Sequence, residues 1–447
     1  MDFSEAFRFG GPTPVYSPDC RFLASAADYR LVVRDVESLQ VVHLCSCLDR
    51  ISHIAWSCDS DHILCTLYKR ATLQVWSVRQ SGWSCKIDEG AAGLRYARWS
   101  PSGQHIIVTA DFQIRMTIWS LADKTCRHIK GPKFPCKGLE FSPEGDLMAV
   151  AERHDCKDVV TIYGTKTWKP EVAVAVPTTD LADIAWSPDN CCLLVWDSLL
   201  TYKALVYSSD GDLLTSYQAY SDALGIKSTS WSPSGQMLAL GSFDQEARLL
   251  NNATWAPLAE LSHPASLSEP ASVIMYKEVE EGQEAAGKQQ AHSKAQPPKH
   301  RPSGTEPKSR YIIQQLPVKL PNQKPPLDKP NPKLGVGQVA WSCDGSHLMT
   351  MNDNMGSCAW IWDMERMELG TVLQQSSNIL SIAWDPRHLR LATCTGSGKI
   401  FMWSPEGASC IHLPMPNFAA RALTWSPDGS SLVLADRDQF CVAYFAE

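Results

Sequence analysis

One phrase recurs nine times along the chain: an aromatic residue, a Ser-Pro-Asp-Gly-like turn, an apolar run, a polar turn and a second apolar run. Its aromatic positions are Tyr16, Trp56, Trp99, Phe141, Trp186, Trp231, Trp341, Trp384 and Trp425. Successive steps are 40, 43, 42, 45, 45, 110, 43 and 41 residues, so all but one fall at the length of a four-stranded sheet with its turns. The turn chemistry is legible at each copy. Proline at the second position presets φ, glycine at the fourth accepts the returning chain, and serine at the first bonds the turn amides. Runs such as Ile106-Ile-Val-Thr109 and Met116-Thr-Ile-Trp119 are apolar on both faces, which predicts strands buried on both sides. Radially stacked sheets give that environment, because each packs against two neighbours.

Composition agrees with many short strands: 16 Trp and 29 Pro in 447 residues do not suit a helical bundle. A formal charge of −7 argues against a general nucleic-acid binder, and no uninterrupted apolar run reaches membrane-spanning length. Residues 1–11 lack the apolar core of a secretory signal, so the chain is expected to stay in the cytosol. The 16 cysteines are scattered through the strand-like positions without zinc or CxxC spacing, as expected of reduced structural thiols.

The fold class predicted is all-β: a β-propeller of about nine blades in one ring, with two smaller propellers or an eight-blade ring plus a displaced copy as alternatives. The last run, Phe440-Cys-Val-Ala-Tyr-Phe445, lacks an outer strand, which residues 2–9 are positioned to supply. The expected organisation is blades over 1–263, a Pro/Lys-rich and largely disordered insertion over 264–333, and further blades over 334–447. From Gly282 to Lys333 there are ten Lys or Arg and ten Pro against three acidic residues. Lys288, Lys294, Lys299, Arg301, Lys308 and Arg310 carry much of that charge. This stretch reads either as a tolerated surface excursion or as an electrostatic tether for an acidic partner. Flanking pieces, Ser272-Val-Ile-Met-Tyr-Lys277 and Tyr311-Ile-Ile-Gln-Gln-Leu316, are suited to pair as a ribbon or to patch a blade.

No arrangement of residues supports catalysis, a cofactor or a metal. Gly282 to Lys288 imitates a phosphate-binding loop, but Gln289 stands where a magnesium-binding hydroxyl belongs. Cys156 beside His154 lacks an orienting third group. Asn252-Ala-Thr254 fits a glycosylation acceptor only in a secreted chain. Asp111, Asp244 and Asp353 fall in turns between middle strands and are read as turn-capping residues.

The nine phrases resemble the WD40 repeat. They depart from it in lacking the Gly-His dipeptide, and a Trp-Asp pair closes a repeat only at Trp362-Asp363, so the hydrogen-bonded network typical of these repeats is expected to be mostly missing. Beyond the generic repeat, Tyr29-Arg-Leu-Val-Val-Arg-Asp35, Cys85-Lys-Ile-Asp-Glu-Gly90, Leu224-Gly-Ile-Lys-Ser228 and Asn331-Pro-Lys-Leu-Gly335 resemble the WRAP-type centrosomal WD40 proteins. That resemblance implies a non-catalytic adaptor at centrosomes, centriolar satellites and spindle poles, serving spindle assembly and cilium formation. It implies a coiled-coil partner of the Msd type, with a minus-end-directed kinesin and microtubules as further partners. The rival class is a propeller subunit acting in translation initiation or another RNA-protein assembly, which requires basic patches on the blades. A partner helix would lie on loops around 154–158 and 220–227. Asp155, Lys157, Asp158, Tyr220 and Lys227 are the candidate contacts, since a blade does not need them.

Overall fold

A computed structural model describes residues 1–268, 272–280, 308–325 and 332–445. Among them are nine sheets, one for each copy of the phrase: eight are built on four antiparallel strands in chain order, and the ninth on three with a fourth from residues 2–3. The blade count therefore matches the repeat. In the third sheet the strands are Tyr96–Trp99, His105–Thr109, Arg115–Ser120 and Cys126–Lys130. Its two middle strands are mostly buried, and its fourth shows only Ile129 to the core.

The serine of eight turns, and Asp385 in its place in the eighth copy, is buried, and the bonding of one shows why. At Trp425 the strand Ala422–Trp425 ends, and the Ser426 hydroxyl donates to Asp428 Oδ1 at 2.6 Å and accepts from the Ser431 amide at 3.0 Å. The Gly429 amide returns to the Ser426 carbonyl at 3.0 Å with φ +75°, a conformation that favours glycine.

The tryptophans do more than fill space. Indole Nε1 of Trp56 donates to the Val15 carbonyl, Trp99 to Ala55, Trp384 to Ala340 and Trp425 to Ala383, each at 3.0–3.1 Å. Each bond therefore ties a first strand to the first strand of the preceding sheet. Phe141 has no such donor. There the bond runs backwards: Arg98 of the third sheet stacks 5.0 Å over the Phe141 ring and donates to the Leu139 carbonyl at 3.1 Å. Replacing Trp425 by Phe keeps the packing but orphans the Ala383 carbonyl. We expect a loss of about 1–2 kcal/mol, read as a lowered urea midpoint.

The described residues fall into two compact units. One comprises Arg8–Phe243 with Leu249–Leu258, the other Met1–Phe7, Asp244–Arg248 and Ala259–Glu447. The first holds sheets one to five, and the boundary runs through the sixth. Its core is continuous from sheet to sheet, as where Ala149, Val160 and Ile162 of the fourth pack against Ile184, Trp186 and Leu193 of the fifth.

In the second unit, Asp2–Phe3 pairs with Gln439–Tyr444 and supplies the missing outer strand of the ninth sheet. Ser4 locks it, its amide on the Val442 carbonyl and its hydroxyl on the Val442 amide, both at 2.9 Å. The flanks of the insertion also fold here. Ile274–Glu280 and Ser309–Ile313 form an antiparallel ribbon whose first strand adds in parallel to the outer strand Glu368–Gln374 of the seventh sheet. A shorter pair joins Ser266–Leu267 to Val318–Lys319.

Burial locks the ribbon in place. Lys399 of the eighth sheet bonds Glu278 at 3.2 Å and the Ser309 hydroxyl at 2.7 Å, with all three residues buried. The other Glu278 oxygen accepts the Ser376 amide and hydroxyl at 2.8 and 2.7 Å. Burial raises the affinity of Glu278 for its proton, but Ser376 and the Lys399 ammonium outweigh it and hold the carboxyl below its ordinary range.

Among the described residues of this unit, the repeat's polar network is present at His263, Thr350 and Trp362. Trp362 Nε1 donates to Thr350 Oγ1 at 2.8 Å, Thr350 lies 2.7 Å from His263 Nε2, and His263 Nδ1 lies 2.8 Å from the Gln245 carbonyl. His263 thus does the work expected of the missing Gly-His dipeptide, beside the Trp362-Asp363 pair that closes its repeat.

Candidate docking face

Antiparallel order sorts the connections of each blade between two ends. The Ser-Pro turns and the third-to-fourth connections share one end. The second-to-third hairpins and the passages to the next sheet share the other. The loops around 154–158 and 220–227 both belong to the second end of the first unit, which is built on strands Leu147–His154, Lys157–Gly164, Leu213–Tyr217 and Ile226–Trp231.

The hairpin between Leu147–His154 and Lys157–Gly164 turns at Asp155 and Cys156, both in the left-handed region with φ +49° and +62°. Asp155 and Lys157 are exposed. Asp158 is not: it is buried, bonds Lys133 at 2.9 Å, and accepts the Leu181 amide at 2.6 Å and the Thr178 hydroxyl at 3.0 Å. Burial opposes its ionisation, but Leu181, Lys133 and Thr178 prevail and keep its carboxyl below the usual range. Lys133 also holds Asp180 at 2.8 Å and the Leu181 carbonyl at 2.8 Å, and Arg153 reaches Asp180 at 2.7 Å. The passage between the fourth and fifth sheets is thereby stapled beneath the hairpin. Asp158 positions the hairpin, and Asp155 and Lys157 present it.

Tyr220 and Lys227 are likewise half-committed. The Tyr220 hydroxyl donates to the Leu224 carbonyl at 2.5 Å and its ring lies 4.8 Å from that of Tyr202. The Lys227 ammonium sits 4.8 Å over the Phe243 ring. Both shape the passage between the fifth and sixth sheets. Of the insertion residues, Lys288, Lys294, Lys299 and Arg301 lie outside the described residues. Arg310 lies opposite Val279 in the ribbon, and Lys308 borders a cavity of about 740 Å³ with His412 and Phe418.

Sequence reasoning passed over three residues on this end. Phe112 is 87% exposed, Ile114 65% and Leu200 72%, all on second-to-third hairpins. Phe112 and Gln113 hold φ of +57° and +54°, where a turn ordinarily places Asn or Gly. That mismatch of residue and turn was the available signal. The end with the Ser-Pro turns is acidic by comparison, with Asp19, Asp59, Glu144 and Asp189 repeated in the turns themselves.

The turn-capping aspartates take up local roles: Asp111 opens its turn, Asp353 donates its amide to Gly335, and Asp244 bonds Arg248 at 2.7 Å. Asp59, Asp61 and His62 bring ligand atoms within 4.8 Å of one another. Their carboxylates already accept bonds from Ser57, Ser77 and the backbone, which accounts for the cluster as turn structure.

Comparison with known proteins agrees with this architecture. Residues 367–404 match the model of the WD domain, G-beta repeat. Mouse WD repeat-containing protein WRAP73 is 44% identical over 99% of this chain and 96% of its own length. An uncharacterised WD repeat-containing protein of Schizosaccharomyces pombe is 22% identical over 86% of this chain and 77% of its own. Among solved structures, the C-terminal WD40 domain of Sif2 superposes with a TM-score of 0.50 at 13% identity, covering 91% of this chain and 96% of that one, a likeness of fold alone.

Proposed function

Because the chain belongs to the family of WD40 repeat proteins that includes WRAP73, we propose that it is a non-catalytic adaptor of centrosomes and spindle poles. In this reading it binds a coiled-coil protein of the Msd type, helps to anchor microtubule minus ends, and serves spindle assembly and cilium formation. A minus-end-directed kinesin joins the same assembly. The basic charge of the insertion, including Lys308 and Arg310, suits contact with acidic tubulin tails.

One observation carries the adaptor reading: the exposed Asp155 to Lys157 hairpin stands on a buried network of Lys133, Asp158 and the Leu181 backbone. Polar groups spent on rigidity below and left open above make a presenting surface rather than a reacting one. A partner helix laid across such loops is held by their fixed geometry.

The test is co-precipitation of the coiled-coil partner with Asp155→Ala/Lys157→Ala. Both residues are exposed, so normal folding is expected, with capture reduced about three- to tenfold through lost charge contacts. Undiminished capture rules this hairpin out. Proximity labelling in dividing cells tests the wider reading: spindle-pole neighbours support it, and ribosomal neighbours replace it with the translation role.

A further inference from the structure

Phe112 combines two features that the isolated chain does not explain. Among the described residues it is the most exposed large apolar one, at 87%, and it holds a left-handed backbone, φ +57° and ψ +16°, followed by Gln113 in the same region. Left-handed geometry disfavours a residue with a Cβ, and an exposed ring returns no burial. Ile114, 65% exposed, sits beside it. The hairpin thus raises two apolar side chains on a strained turn.

Its surroundings are continuous. The Glu89 amide bonds the Ala71 carbonyl at 3.0 Å, and a Cβ placed on Gly93 would overlap Asp111. Lys130 lies opposite Arg115 in the sheet, and a Cβ on Gly131 would lie 3.4 Å from the His154 ring. The loops therefore run unbroken from the second sheet to the Asp155 hairpin. Exposed cations stand along them, Arg95, Lys130, Lys137 and Lys157, beside the exposed carboxylates Asp88 and Asp155 and an Asp180 already paired with Lys133 and Arg153. At the opposite end, the turns of the second and fourth sheets carry Asp59, Asp61, Glu144 and Asp146, and that of the third carries no charge.

We propose that Phe112 and Ile114 are the apolar anchor for an amphipathic helix with acidic flanks, seated across the hairpins of the third and fourth sheets. The occupant follows from complementarity: two apolar knobs fit the i, i+3, i+4 stripe of a helix, and the bordering cations select acidic residues beside it. This deepens the adaptor reading, on which it rests, by naming the seat and charge of the partner helix.

The experiment captures the coiled-coil partner on full-length protein carrying Phe112→Asn/Ile114→Ser. Asparagine is at ease in the left-handed region, so the melting temperature is expected to hold or rise while capture falls about tenfold or more. Lys130→Glu/Lys157→Glu is expected to weaken capture chiefly at low salt. Glu144→Ala/Asp210→Ala, on the opposite end, should leave it unchanged. Equal capture by wild type and the Phe112/Ile114 variant overturns this inference and spares the adaptor reading. Wild type failing to capture the partner overturns both. Self-association removed by the variant while capture persists gives the patch to a second copy and overturns the inference.

Discussion

Replacing Lys399 by Ala lowers the stability of the unit that holds it by about 3–5 kcal/mol, because a buried carboxylate is left without its cation. The Glu278 side chain is 1% exposed and that of Lys399 6%, so water cannot take the place of the lost ammonium. The Ser309 hydroxyl loses its Lys399 partner at the same time. The damage reaches beyond the pair, since Glu278 and Ser309 belong to the ribbon and Lys399 to the eighth sheet. We expect the strands Ile274–Glu280 and Ser309–Ile313 to release first, seen as early proteolysis and rapid hydrogen exchange there. Lys399→Met with Glu278→Leu should be less destabilised than Lys399→Met alone, because the double change removes the stranded charge. Native stability in Lys399→Ala would show that the ribbon is held by its strand pairing alone.

Acidification is expected to loosen the second unit around His263. The ring is neutral in the folded chain: Nδ1–H donates to the Gln245 carbonyl, so Nε2 accepts from Thr350, whose oxygen in turn accepts from Trp362. Burial, acting against the Gln245 bond, pushes its pKa down to about 4 from an ordinary 6.5. The unfolded chain therefore takes up the proton first, and stability is lost as pH falls from 6.5 towards 4, by up to about 3 kcal/mol. His263→Gln should flatten this dependence. Glu140, in the first unit, has the opposite sign. Burial raises it to about 7 from 4.5, with Asp183 adding repulsion against the Trp186 amide and Arg98. The folded chain holds that proton more tightly, so its contribution is present below 4.5 and lost as pH rises through 7. Hydrogen exchange resolved by segment separates the two: on going from pH 7 to 4.5, the sequence around His263 and Thr350 should exchange faster in relative terms, and Leu139–Phe141 more slowly. Parallel behaviour would refute the assignment.

Much of the architecture is legible because it repeats. The spacing of Trp99, Trp384 and Trp425 announces the sheets, and the turn residues announce their hairpins. The outer strand at Asp2–Phe3 and the ribbon flanking the insertion are also legible, as a missing strand and two unassigned apolar runs. Their bounds shift by two or three residues, since pairing with Glu368–Gln374 and Lys399 decides where each ends. What escapes a linear reading is chemistry between distant positions. Glu278 and Lys399 are 121 residues apart, and neither sits in a motif. Arg98 reads as an ordinary strand residue until Phe141 is seen to lack the donor that Trp56, Trp99, Trp384 and Trp425 supply. The docking residues divide on burial, which sequence does not carry. Asp155 and Lys157 face outward, whereas Asp158, one position on, faces in because strand residues alternate. Phe112 was passed over for the same reason, its apolar character suggesting core.

The pairing of Asp2–Phe3 with Gln439–Tyr444 sets the order of events at the ribosome. Asp2–Phe3 must wait for a partner made some 438 residues later, on the order of 20–90 s at ordinary elongation rates. Throughout that interval the edge strand exists without the body of its sheet, and Asp2–Phe3 is open to chaperones or to the wrong partner. A message cut short anywhere before Gln439 leaves that segment permanently unmatched.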